Sequence, residues 1–143
     1  MANPRNTTDF EGLRNPADEV TMLIDNSTIT YDANEEGGSA QVGLAVSLSA
    51  ARTLQLAGDG EAVIGKLWQV EKDLKARVQV KGFMALPAGA GATLTRGFKV
   101  VGDLDTAARG YIREAASGTA AELNKGRGMI IDAADTAAVW VLL

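Results

Sequence analysis

The stretch Gln41–Ser49, QVGLAVSLS, sets Val42, Leu44, Val46 and Leu48 on one side of an extended chain. Gln41, Gly43, Ala45, Ser47 and Ser49 fall on the other. Four apolar residues at period two suit a half-buried strand. A helix would need its apolar stripe every three to four residues. The same texture recurs along the chain. Val20–Ile24 and Thr28–Tyr31 are β-favouring runs around an Asp25-Asn26-Ser27 turn. Asn34–Ser39 is a polar, glycine-containing loop. Leu54 and Leu56 alternate up to the turn Gly58-Asp59-Gly60, and a largely apolar run follows through Ala62–Trp68. The segment EKDLK then forms a charged tip. Beyond it Ala76, Val78 and Val80 alternate with Arg77, Gln79 and Lys81, the pattern of a hairpin.

The last third continues in this way. Pro87–Gly91 is a loop, Thr95-Arg96-Gly97 a turn, and GMIIDAADTAAVWVLL a closing hairpin with its turn at Asp132–Thr136. An apolar strand ending in Trp140-Val141-Leu142-Leu143 is expected to be central or well covered, because a bare apolar edge invites aggregation. One short helix is predicted at TAAELNKG, where Thr119 and Glu122 have capping-box spacing and Gly126 can end it. Many short strands with turns every ~8–12 residues indicate an all-β fold, a small β-barrel or β-sandwich with at most one short helix. Hydrophobic residues make up 46% of the 143 residues but aromatic ones only 5%, so the core must be aliphatic. One domain is expected, residues 20–143, preceded by an extended N-terminal arm, residues 1–19. The arm holds Pro4 and Pro16 and has no apolar period. Its Phe10 and Leu13 are candidate anchors on a neighbouring surface, flanked by Arg5 and Arg14.

Composition excludes several chemistries. The chain has no His and no Cys, so a Ser-His-Asp or Cys-His centre and a Cys/His zinc site are impossible within it. The commonest general base is missing as well. The net charge is −4 and the Lys and Arg residues are scattered, which argues against nucleic-acid and anionic-membrane partners. No apolar run approaches the ~20 residues of a membrane span. The polar N-terminus lacks the apolar segment of a secretory signal, so synthesis in the cytoplasm is the expectation.

Three local patterns compete for a functional reading. Read from Gly60, GEAVIGK matches the start of a phosphate-binding P-loop. That motif needs a Ser or Thr after the lysine to ligate Mg²⁺, and here Leu67 stands there. It also needs a helix after the loop, whereas Val63, Ile64, Leu67, Trp68 and Val70 favour a strand. A turn entering a strand is the better reading, with Gly65 marking a bulge or close backbone approach and Lys66 facing solvent or a partner. The pairs Glu35/Glu36, Asp103/Asp105 and Asp132/Asp135 are read as turn or solvated carboxylates, since no ordered set of oxygen ligands surrounds them. In ARGYIREA, Arg109, Tyr111 and Arg113 share one strand face. That face could meet a polyanion or carboxylates of an adjacent chain, and a solvated outer face is the simpler account. Trp68 and Trp140 lie in apolar strands and are read as core or subunit-interface residues rather than a sugar platform. No catalytic, cofactor or metal site emerges, and the chain is not expected to be an enzyme.

The segments LQLAGDGEAVIGKLWQVEKDLKARVQVKGFMALPAG, LTRGFKVVGDL, ARGYIREA and GRGMIIDAADTAAVWVLL resemble the decoration (cement) proteins of tailed-phage capsids, most closely the actinobacterial-phage type. The resemblance spans roughly residues 40–143 and rests on scaffold motifs. It implies a compact, β-tulip-like barrel that trimerises on the outside of an icosahedral head. There it bridges neighbouring major capsid proteins and stabilises the shell. Under that reading the partners are the major capsid protein and other copies of the chain, with Arg5, Phe10, Leu13, Arg14, Arg109, Tyr111 and Arg113 as candidate contacts. A receptor- or carbohydrate-binding β-module of a phage virion is the alternative.

Overall fold

The computed structural model describes residues 19–116 and 118–143. Five strands close a barrel: β1 (Glu19–Ile24), β2 (Ala45–Ala50), β3 (Thr53–Leu56), β4 (Gly65–Val70) and β5 (Lys75–Gln79), in the order β1-β3-β2-β4-β5. β1 closes the ring by pairing parallel to β3 and antiparallel to β5. A three-stranded sheet follows, β6 (Phe83–Leu86), β10 (Val139–Leu142) and β9 (Met129–Asp132), with β10 in the middle. β7 (Val100–Asp105) and β8 (Ala108–Glu114) form a separate hairpin. The helix α1 (Ala120–Lys125) has six residues, and a three-residue 3₁₀ turn lies at Glu36–Gly38. The predicted all-β barrel with one short helix is what the described residues form. The predicted arm lies outside them, apart from Glu19, which opens β1.

Two apolar cores fill the molecule. Ile24, Ile29, Val46, Leu54, Leu56, Leu67, Val70, Ala76 and Val78 pack inside the barrel. Ala45, Ala57, Val63, Met84, Leu86, Val100, Ile112, Ile130, Val139 and Val141 pack between the barrel wall, the three-stranded sheet and the β7–β8 hairpin. Successive residues serve opposite cores: Ala45 and Val46 do so on β2, and Leu56 and Ala57 at the end of β3. Alternation along a strand makes this possible, since neighbouring side chains point to opposite faces. Aliphatic side chains supply both interiors, as the composition requires.

Gly65 sits where β4 runs close against β5. A Cβ built there would stand 2.0 Å from the Gln79 carbonyl oxygen on β5. Only a residue without a side chain lets β4 approach β5 this closely, which is the close approach expected of this glycine. The β4–β5 hairpin turns at Glu71–Leu74, as the EKDLK tip predicts.

Three expectations fail locally. Thr28–Tyr31 is not a strand. The Asp25 carboxylate instead accepts hydrogen bonds from the backbone N–H groups of Ser27, Thr28 and Ile29 and from the Thr28 hydroxyl. This side-chain cap offers the backbone an alternative to a ladder. In Gln41–Ser49 the strand begins only at Ala45. Both Ala45 and Val46 are buried while Leu48 is exposed, because β2 is covered on both faces at its start and on neither at its end. At α1, Thr119 makes no capping bond. Glu122 reaches the Ala116 N–H instead and is held by Arg113.

Candidate interaction surface

Arg109, Tyr111 and Arg113 do share one face of β8, with Gly110 and Ile112 buried opposite. The two guanidinium groups find their partners within the chain. Arg109 donates from Nε to the Leu56 carbonyl at 2.8 Å and from Nη2 to Glu61 Oε2 at 2.7 Å. Glu61 is the hub of the GDGE turn. It also accepts from the Ser47 hydroxyl, the Gln55 amide and the Gly58 N–H. Burial alone would raise the Glu61 carboxyl, but these hydrogen bonds and Arg109 outweigh it and hold it below the usual carboxylate value. A Cβ on Gly58 would come within 2.9 Å of the Arg109 guanidinium. Gly58, which precedes the P-loop-like motif, therefore makes room for an arginine from another strand.

Arg113 is the second clamp. It donates to Asp59 Oδ1 at 3.0 Å and to Glu122 Oε2 at 2.9 Å, and stands 3.8 Å from Asp103. Glu122 holds the guanidinium charged well above its ordinary range. In return Arg113 and the Ala116 N–H hold the Glu122 carboxyl down at about 2. The face of β8 is thus a seam that fastens the hairpin to the GDGE turn and to α1. Two of the matching carboxylates, Glu61 and Asp59, come from 48 and 54 residues away in sequence, which no local pattern reveals. Asp103 departs from its reading as a turn residue, since it lies inside β7 with its side chain largely covered. Asp132 and Asp135 behave as expected, accepting from the Ala134 and Ala137 N–H groups in the β9–β10 turn. Among the described residues no group of three His, Cys, Asp or Glu side chains could hold a metal ion.

The surface that sequence reasoning missed is the outer face of the β6–β10–β9 sheet. Met84, Leu86, Val139, Val141 and Ile130 point inward and are buried. The alternate positions carry Phe83, Ala85, Trp140, Leu142 and Met129, which are apolar as well. Phe83, Leu142 and Met129 align in one cross-strand row, and Trp140 stands opposite Ala85 in the next. Such neighbours have Cβ atoms roughly 4.5–5.5 Å apart, so the row is continuous. Phe83 is 60% exposed and Trp140 49%.

Trp68 extends the same region. Its indole N–H donates to the Gln79 side chain, whose amide in turn donates to the Phe83 carbonyl. Lys66 lies over the Trp68 ring at 5.7 Å, and burial pushes its ammonium below the usual lysine value. Neither tryptophan is a core residue. Leu67 and Val70 take the inward positions of β4, and Val139 and Val141 those of β10, leaving both indoles outside. The available signal was that strands 83–86 and 139–142 are apolar at every position, where a sheet with one wet face alternates. Arg5, Phe10, Leu13 and Arg14 lie outside the described residues. No protein-family model, curated protein or solved structure matches the chain.

Proposed function

We propose that this chain is a structural capsid decoration protein of a tailed phage, a trimer bound to the outside of an icosahedral head that bridges major capsid proteins. The observation that supports this reading is the largely apolar, aromatic-bearing outer face of the β6–β10–β9 sheet, where Asp132 is the one charged strand residue, on an all-β body. A domain of this kind works by adhesion to protein, and the segments that resemble decoration proteins are the ones that build its frame. Acidity suits a protein kept on the outer surface, away from packaged DNA. Three linked copies gain avidity on a repeating lattice, because each further contact becomes intramolecular.

In this reading the arm supplies the shell contact through Arg5, Phe10, Leu13 and Arg14, and the β-domain supplies the contacts between copies. The test mixes full-length protein with heads lacking it. The double variant F10S/L13S should stay folded and lose at least about tenfold in head binding, which co-sedimentation measures. Undiminished binding removes the arm from the mechanism, and no binding by the unaltered protein removes the decoration role.

A receptor- or carbohydrate-binding module is the second reading. One observation favours it: Trp68, Phe83 and Trp140 are all surface aromatics, the residue type on which sugar rings stack. Specific hits on a glycan array that vanish in W140S would favour this reading over the first.

A further inference from the structure

We infer that Asp59-Gly60 is a latent site of backbone isomerisation, held shut by the β7–β8 hairpin through Arg113 and the Gly102 carbonyl. The inference concerns the chemical lifetime of the protein and does not depend on its proposed role. Asp59-Gly60 is the only Asp-Gly pair in the chain, and no Asn-Gly pair occurs. An aspartate followed by glycine cyclises readily, because glycine has no side chain to obstruct the approach of its nitrogen. The Gly60 nitrogen attacks Asp59 Cγ. A C–N bond forms, and the nitrogen's proton leaves with the carboxyl hydroxyl as water. A second water then opens the resulting succinimide. Attack at the former main-chain carbonyl of Asp59 breaks that carbon's bond to nitrogen and routes the backbone through the side-chain carboxyl carbon. The product, isoaspartate, carries an extra methylene in its main chain.

Two separate demands of the fold create this hazard. Gly60 has a φ of +70°, a left-handed conformation that favours glycine, and a Cβ there would stand 3.1 Å from Glu122 Oε1. Asp59 serves as a partner for Arg113, which donates to it from Nε at 3.0 Å. The same contacts oppose the reaction. Cyclisation proceeds through the neutral carboxyl, whereas Arg113 binds the ionised form. The carboxyl must also turn back on its own peptide, whereas Arg113, itself anchored on Glu122, holds it towards β8. The Gly60 nitrogen must give up its proton, yet that N–H donates to the Gly102 carbonyl at 3.0 Å. The Gly102 N–H in turn donates to the Glu61 carbonyl at 2.8 Å, so β7 pins the turn beside the reactive bond. The Asp59 side chain is 60% exposed, so exclusion of water does not protect it. The clamp does.

The test is incubation of the full-length protein at neutral pH and physiological temperature, with isoaspartate at residue 59 read by peptide mapping and electron-transfer fragmentation. A synthetic peptide of residues 56–66 gives the unguarded rate, and incubation continues until it has converted. Circular dichroism melts confirm that each variant is folded. The unaltered protein should isomerise at least about tenfold more slowly than the peptide. R113Q should isomerise at least about fivefold faster than the unaltered protein. R113K keeps the charge but not the fork that spans Asp59 and Glu122. It should fall between the two, and it carries the comparison if R113Q does not fold. D59E should abolish the signal, because a glutamyl side chain has to close a larger ring. I130V weakens a fully buried core position without altering the clamp, and should leave the rate within about twofold of the unaltered protein. An unaltered protein as fast as the peptide overturns the inference. So do arginine variants as slow as the unaltered protein. Equal acceleration in I130V and R113Q would assign the protection to global stability and remove the clamp from it.

Discussion

β5 and β10 have the same inward pattern and opposite exteriors. On β5, Ala76 and Val78 fill the barrel while Lys75, Arg77 and Gln79 face out. On β10, Val139 and Val141 fill the second core while Trp140 and Leu142 face out. The inward halves of the two strands do equivalent thermodynamic work, since each buries aliphatic surface in a closed interior. Only the outward halves differ, and stability does not require that difference. A strand with one solvated face has no use for an indole and an isobutyl group on it. The contrast separates residues that fold the molecule from residues available to a partner.

The largest effect should come from the close approach of β4 to β5 at Gly65. Gly65→Val drives a branched side chain into the Gln79 carbonyl oxygen of β5. It should destabilise the fold by on the order of 3 kcal/mol or more, or prevent folding, as urea denaturation would register. A well-folded G65V protein would mean that the barrel can loosen as the surface can. Next come paired truncations of the two interiors. Leu67→Ala in the barrel and Leu86→Ala in the second core remove fully buried side chains. Each should cost about 2–5 kcal/mol, with the same single transition by fluorescence and circular dichroism. Two separate transitions would break the equivalence of the inward halves.

A smaller effect lies in the seam between the regions. The Glu122 carboxyl is held at about 2 against an ordinary value of 4.5. A depressed carboxyl stabilises the folded state fully above its ordinary value, and that contribution is lost as pH falls from about 4.5 towards 2. Glu122→Gln should be less stable at pH 7 and should show a flatter stability profile over that acid range. Identical profiles for the two proteins would show that Glu122 adds nothing to the grip on Arg113 beyond Asp59, Asp103 and the Glu114 carbonyl.

Much of this fold was legible in the chain. The β4–β5 hairpin, the closing β9–β10 hairpin and the Gly58–Glu61 turn follow from alternation and turn residues, because those signals are local. Thr28–Tyr31 misled because its composition favours a strand while one carboxylate, Asp25, captures its backbone first. The alternation of Arg109, Tyr111 and Arg113 was readable, but their partners were not, since Glu61 and Asp59 come from a distant turn. The tryptophans were read as core or subunit-interface residues, and the structure removes the core alternative. Alternation assigns residues to two faces without saying which is inside, and in an all-apolar strand both faces look like core.

The closure of the barrel by β1 and β5 also governs the order of events at the ribosome. Glu19 and Gln79 are paired although about 60 residues separate them, the kind of distant contact that slows folding. Until β5 has left the exit tunnel, β1 can pair only with β3, and its other edge stays open. The ring cannot be completed piecemeal as the chain emerges. Its first element must wait for its fifth, and a pause in translation before residue 79 would lengthen the interval in which a nascent chain is exposed to chance pairing with its neighbours.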